Sequence, residues 1–246
     1  MISFRGVKKS FGPKHVLRGV SFDVGDGEVF FIIGGSGVGK SVLIKHLIGL
    51  LYPDEGEIWL DGEEVSRFDE TRMYEVRKKC AMVFQHSTLF DSMTCAENVA
   101  LPLRKHRGLK ARDALGEAKR RLEQVRMLEF ADRYPPELGD GMRKRVAIAR
   151  ALTLEPRYVL FDEPTTSLDP VSARRVDKLI RELSDKLGVT SIVVSHDLVS
   201  IFTIADRIVM MYNGSVKLLG KPEDFRASTD PIIVQFINGR AEGPIE

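Results

Sequence analysis

The sequence predicts an α/β domain with a parallel-sheet core, an antiparallel β region at the N-terminus and a helical subdomain set into the middle of the chain. Three observations lead there. Apolar runs that read as strands alternate with helical stretches between residues 28 and 85 and again between 158 and 211, the order that builds a parallel sheet. The first 30 residues hold two β-like runs divided by turn residues instead of a helix. From about His86 the texture changes to helical spacing with a local basic excess. A length of 246 residues suits one large domain or two small ones, and 43% hydrophobic with 29% charged residues is an ordinary globular composition, which excludes wholesale disorder.

The elements follow in order. Ile2 to Val7 and Val16 to Val24 are the N-terminal β runs, separated by Phe11-Gly12-Pro13 and closed by Gly25-Asp26-Gly27. Glu28 to Ile33 is a continuous apolar strand that meets a glycine-rich loop, and Lys40 to Leu51 has helical period. Gly56 to Leu60 is a strand ending in the turn Asp61-Gly62; a charged helix at Asp69 to Lys79 and a strand at Cys80 to Gln85 come next. Residues 110–128 place Ala114, Ala118, Leu122 and Val125 at helical spacing, and residues 101–126 carry nine Lys or Arg against three acids. Strands at Tyr158 to Phe161, Ser191 to Val194 and Ile208 to Met211 flank helices at Pro170 to Leu187 and Asp197 to Ala205. The expected division is a core at about 1–85 and 157–229, a helical subdomain at about 86–156 and a tail at about 230–246. With Pro231, Gly239, Gly243 and Pro244, that tail is expected to leave the core as an extension.

Charge and cysteine usage narrow the function. With 37 Lys and Arg against 35 Asp and Glu, no global field draws the chain onto nucleic acid or an anionic membrane. Cys80 and Cys95 lack C-x-x-C spacing, so free thiols in a reducing compartment are expected. No signal peptide opens the chain and its apolar runs are short, so it is expected neither to be secreted nor to span a membrane by itself. His15, His46, His86 and His106 show no metal-ligand spacing.

The chemistry sits in two motifs. Gly34, Gly35, Ser36, Gly37, Val38, Gly39, Lys40 and Ser41 match G-x-x-x-x-G-K-S/T between a strand and a helix, a nucleotide phosphate cradle. Its glycines let backbone N–H groups approach phosphates, Lys40 reaches the β and γ phosphates, and Ser41 offers a hydroxyl to magnesium. Tyr158 to Glu163 is an apolar strand ending in two carboxylates, where open α/β sheets bind ligands. Asp162 is the candidate for the magnesium shell, and Glu163 for activating the attacking water.

With these motifs in this order, the chain resembles the nucleotide-binding subunit of an ABC transporter over essentially its whole length, a P-loop NTPase cassette with a RecA-like core. The resemblance implies further roles: Phe11 stacking on adenine, Gln85 as the Q-loop ligand joining magnesium to the membrane partner, Ser167-Leu168-Asp169 as the D-loop, and His196 as the switch histidine at the γ-phosphate. Bound ATP and Mg²⁺ are implied too, together with a second copy of the chain and a membrane permease.

One motif departs from the pattern. Where the family has L-S-G-G-Q before a helix, this chain reads Leu138-Gly139-Asp140-Gly141-Met142, followed by the helix-like run Arg143 to Leu152. Gly139 and Gly141 keep the nucleotide-contacting places, but Gly139 lacks the hydroxyl that would donate to phosphate. Asp140 adds a carboxylate; two like charges about 4 Å apart repel by around 4 kcal/mol at an effective dielectric of about 20. Alternatively Asp140 turns inward to cap its own helix. Slower turnover than in a Gly139→Ser, Asp140→Gly protein is expected.

Met142 resembles the L-S-G-G-M form of ATPases in MCE, or Mla, lipid transport systems, as do Ala96 to His106 and the tail Asp230 to Pro244. That likeness implies phospholipid transport between inner and outer membranes, an MCE-domain protein, a STAS-domain regulator, and a peripheral position on the cytoplasmic face of a bacterial inner membrane. The alternatives are a low-turnover regulatory subunit and an importer ATPase for another substrate. A nucleic-acid ATPase using the basic stretch is disfavoured because tandem cassettes are missing, so no nucleic acid is expected.

Overall fold

A computed structural model describes residues 1–245. In chain order the elements are β1 (Ile2–Phe11), β2 (Lys14–Val24), β3 (Val29–Ile33), α1 (Lys40–Leu47), β4 (Glu55–Leu60), β5 (Glu63–Glu64), α2 (Glu70–Lys79) and β6 (Cys80–Val83). Next come α3 (Cys95–His106), α4 (Ala111–Gln124), α5 (Asp140–Leu152), β7 (Tyr158–Asp162), α6 (Pro170–Leu187) and β8 (Thr190–Val194). The chain closes with α7 (Leu198–Ile204), β9 (Arg207–Tyr212), β10 (Ser215–Gly220), α8 (Pro222–Ala227) and α9 (Pro231–Asn238).

The strands form two sheets, one antiparallel in the order β2-β1-β4-β5 and one of six strands in the order β10-β9-β3-β8-β7-β6, parallel except at β10. Every residue of β3, β7 and β8 is buried, because both faces of the central sheet are covered. Alternation sorts them. Val29, Phe31 and Ile33 join Val159 and Phe161 against the helical subdomain, while Phe30 and Ile32 join Leu160 against the antiparallel sheet and α1. Each such side chain stabilises the fold by about 1.5–3 kcal/mol. Cys80 and Cys95 are free and buried, and burial lifts the Cys95 thiol to about 11.

The register aligns the chemistry. Ile32 lies opposite Val194, and Val194 opposite Asp162, so β3, β8 and β7 release their next residues side by side at one sheet edge. The Glu163 N–H donates to the Val194 carbonyl at 2.9 Å, locking two of these exits together.

Several expectations shift. The helix after the glycine loop stops at Leu47, with Gly49 at φ 66°, short of the expected Leu51. The strand from Cys80 ends at Val83, leaving Gln85 on a loop. The tail does not leave the core. Pro231 starts α9, Ile233 is buried, and Ile232, Phe236 and Ile237 pack on the larger core. The Gln235 side chain then binds Ile245 through both its oxygen (2.7 Å) and its nitrogen (3.0 Å), folding residues 239–245 back. Glu246, the last residue of the expected extension, lies outside the described residues.

Candidate functional site

The loop from Gly34 to Gly39 has the backbone that only glycine accepts at its key points. Gly34, Gly37 and Gly39 have φ of 140°, 73° and 102°, and a Cβ on Gly39 would press on Leu17 and Val16. Gly39 caps α1 with no side-chain acceptor, and no acid stands in the first turn of that helix. The first N–H groups of α1 are therefore free for an anion. Val38 turns its side chain to the core, so only its backbone serves the loop.

Lys40 is buried and its ammonium donates to the Gly34 and Gly35 carbonyls, both at 2.8 Å. Burial holds Lys40 below its ordinary value, opposed by the charges of Glu163 and Asp162. The Ser41 hydroxyl donates to the Asp162 carboxylate at 2.6 Å, and Glu163 meets the His196 Nδ1 at 2.9 Å. Glu163 sits at φ 51°, a bend that aims its carboxylate across the strand end to His196 and to the Thr166 hydroxyl, 3.1 Å away. The Glu163 side chain is 14% exposed and that of His196 63%, so the histidine is the accessible member of the pair.

Lys40, Ser41, Glu163, Thr166 and His196 line one cavity of about 720 Å³, together with Gln85 and with Phe11 at its rim. Phe11 is 46% exposed, as an aromatic awaiting a planar partner would be, and the Lys9 ammonium lies 5.6 Å from its ring centre. Gly34, Gly35, Ser36, Gly37, Gly39, Lys40, Ser41, Gln85, Glu163 and His196 are thus brought together as the sequence suggests, with Asp162 beneath Ser41.

Gly139, Gly141 and Asp169 are not brought to that cavity. They line a separate one of about 550 Å³ with Asp140 and Ser167. Gly139 is the N-cap of α5 and offers no side-chain hydrogen bond. Asp140 does not cap the helix, as one alternative had it; its carboxylate pairs with Arg143, one turn on. Asp169 caps α6 by accepting from the Val171 and Ser172 N–H groups. Gly141 packs so closely on Ser172 that a Cβ would lie 2.8 Å from the serine Cβ, which joins the start of α5 to the first turn of α6.

Other contacts around these residues escaped the sequence reading. Phe236 of α9 lines the cavity of about 720 Å³ beside the glycine loop, although nothing local marks it. Arg174 on α6 bonds Asp197, beside His196, and lies 2.9 Å from the buried Asp177, which also accepts from the Ser200 hydroxyl at 3.0 Å. Burial raises Asp177 to about 6. The signal was present: Arg174, Asp177 and Lys178 share one helix with Asp177 on its apolar side, an unusual place for a carboxylate.

Comparison with known proteins agrees with this geometry. Residues 17–166 match the family model described as ABC transporter. The chain is 38% identical over 245 residues to the intermembrane phospholipid transport system ATP-binding protein MlaF of Escherichia coli K12, covering 100% of this chain and 91% of that one. It is 36% identical over 244 residues to the probable ribonucleotide transport ATP-binding protein mkl of Mycobacterium leprae, covering 99% and 70%. Among solved structures, an ATP-binding cassette in a dimeric post-hydrolysis state with ADP and Pi superposes with a TM-score of 0.82 at 32% identity, covering 90% of this chain and 98% of that one. The cbiO1 subunit of the Clostridium perfringens cbiONQ transporter gives 0.85 at 28% identity, covering 98% and 95%. The nucleotide cradle, the carboxylates at the sheet edge and this likeness along the whole chain establish that the protein belongs to the ABC transporter family, as an ATP-binding, ATP-hydrolysing subunit.

Proposed function

We propose that this ABC ATPase works as a homodimer that closes on ATP to drive an integral membrane permease, and that the cargo is phospholipid moved between inner and outer membranes. The observation that carries the reading is the division of the site within one chain. Lys40, Ser41, Glu163 and His196 converge at one cavity, with Asp162 bonded to Ser41, while Gly139, Gly141 and Asp169 stand at another. One nucleotide touching both halves requires two chains, and a two-fold pair completes two such sites at once.

In the closed pair the N–H groups ahead of α1 cradle the phosphates, and the Lys40 ammonium leaves the Gly34 and Gly35 carbonyls for the β and γ oxygens. Glu163 accepts the proton of the attacking water, and His196, held against it, faces the γ-phosphate. Magnesium fits the donors present: a hydroxyl (Ser41) and a carboxylate (Asp162) already meet at 2.6 Å, with the Gln85 amide on the same cavity. Bound there it would neutralise charge on the phosphate oxygens. A set with one carboxylate suits an ion that keeps water and phosphate as ligands.

The phospholipid cargo, with an MCE-domain protein and a STAS-domain regulator as partners, rests on the likeness to MlaF; the likeness to mkl points instead to ribonucleotides. No helix among the described residues is long and apolar enough to cross a membrane, so a permease would hold the subunit at the cytoplasmic face of the inner membrane. A second reading, a low-turnover subunit, is favoured by the missing hydroxyl at Gly139 and the charge at Asp140. Purification of the tagged chain from its native membranes in mild detergent, with mass spectrometry of what accompanies it, tests the cargo. A permease, an MCE-domain protein and phospholipid support the reading. A permease of another kind without lipid, or a soluble species carrying RNA or DNA, overturns it.

A further inference from the structure

Two cations of α5 reach out of the helix that carries the signature and grip the loop that carries Gln85. Lys144 is 2% exposed, and its ammonium donates to the Phe84 carbonyl at 3.0 Å and the Gln85 carbonyl at 2.6 Å. Arg150, two turns along, donates to the Thr88 carbonyl at 2.9 Å, the Thr88 hydroxyl at 3.0 Å and the Ser87 carbonyl at 3.3 Å. Among the described residues neither cation pairs with a carboxylate within 4.0 Å.

A buried cation that pairs directly with no carboxylate is costly, and burial pushes Lys144 down to about 8 against the opposing charges of Asp140 and Asp162. The side chain lies on the same helical stripe as Ala147 and Ile148, where a methionine would pack without that cost. What the ammonium adds is a hold on the loop. The carbonyls of Gln85, Ser87 and Thr88 accept no backbone N–H among the described residues, and Thr88 sits at φ 49°. The conformation of residues 84–88 is therefore set from α5.

We propose that Lys144 and Arg150 are positioning residues that make the Gln85 loop and the signature helix one mechanical unit. They hold Gln85 on the cavity that Ser41 also lines and transmit a push on the loop to Gly139–Met142. The proposal rests on the motor reading above. Coupling of this kind is reciprocal: a nucleotide engaged by the signature of one chain must also shift that chain's own Gln85.

The test uses the full-length protein as Lys144→Met, Arg150→Met and the conservative Arg150→Lys. Amide hydrogen exchange is measured in each across residues 84–93, where the Phe90 N–H donates to the Asn98 side-chain oxygen (2.8 Å) and the Met93 N–H to the Phe90 carbonyl (3.1 Å), together with affinity for a fluorescent ATP analogue without and with Mg²⁺. In both methionine variants loop exchange rises about tenfold, the loss expected when a charge-assisted hydrogen bond is removed. The Mg²⁺ concentration for half-maximal tightening rises roughly 10- to 100-fold, the usual cost of losing an outer support of a metal site. Affinity without Mg²⁺ stays within about twofold because the P-loop is untouched. Arg150→Lys restores most of both. Unchanged loop exchange in both methionine variants overturns the clamp, whatever happens to turnover. A wild-type protein whose ATP affinity ignores Mg²⁺ contradicts the magnesium assignment instead, leaving the exchange result to decide the clamp.

Discussion

Serine at position 139 is expected to raise turnover, and the structure sets the size of the gain. Gly139 lies at φ −67°, ψ 160°, a conformation open to any L-residue, and a Cβ there would meet nothing within 4 Å. Gly139→Ser therefore carries no strain and adds an N-cap worth a few tenths of a kcal/mol. A hydroxyl donated to a phosphate is worth about 1.5–3 kcal/mol, so its gain in turnover is roughly 10- to 100-fold if it forms in the transition state. Asp140→Gly has a smaller effect. The Asp140 side chain is 59% exposed and already paired with Arg143, which leaves the partner's phosphate facing a screened and largely neutralised carboxylate. About threefold is expected from that change, at a cost of about 1 kcal/mol in helix stability because a first-turn acid is exchanged for glycine. The assay is steady-state ATP hydrolysis by wild type, both single variants and the double variant, with thermal unfolding alongside. Gly139→Ser turning over no faster than wild type would refute the reasoning, since its backbone and surroundings leave no structural excuse.

Three further outcomes follow from the site. Phe11→Ala weakens ATP by about two- to tenfold while leaving tripolyphosphate unaffected, because only the base meets the ring; equal losses for both ligands count against stacking. Ser41→Ala breaks the 2.6 Å contact with Asp162 and abolishes the Mg²⁺ enhancement of ATP affinity without removing Mg²⁺-free binding, as titration with and without EDTA shows. Asp177, raised to about 6 by burial from an ordinary 3.8, stays protonated in the fold after the unfolded chain has lost its proton. The wild-type protein thus loses up to about 3 kcal/mol as pH rises from about 4 to about 6. Asp177→Asn flattens that slope in chemical denaturation, and an unaltered slope assigns the pH dependence elsewhere.

The glycine-loop half of the candidate site was legible because each part has a local cause. The glycines must take left-handed angles, the lysine must follow them, and the apolar strands must end where the carboxylates begin. Strands β3 and β7 were visible for the same reason, since burial on both faces leaves no polar residue to blur them. Other elements carried signals that went unused. Asn213-Gly214, at φ 49° and 77°, is the two-residue turn that pairs β9 with β10. Thr94 and Glu97 form the capping box that opens α3. The tail could not be read. Its Pro and Gly content describes a loop, whereas the Gln235 bonds that fold it back join residues whose partnership no periodicity announces. The hold of Lys144 and Arg150 on residues 84–88 spans about 60 residues of sequence, so it too exists only in the fold.

The claim on which the rest depends is that a complete site needs two chains. Sedimentation of Glu163→Gln, which keeps the shape of the cavity but removes the proposed base, measures it directly with and without ATP and Mg²⁺. The account predicts a monomer that becomes a dimer holding two ATP molecules. A chain saturated with ATP that remains monomeric at high concentration would contradict it.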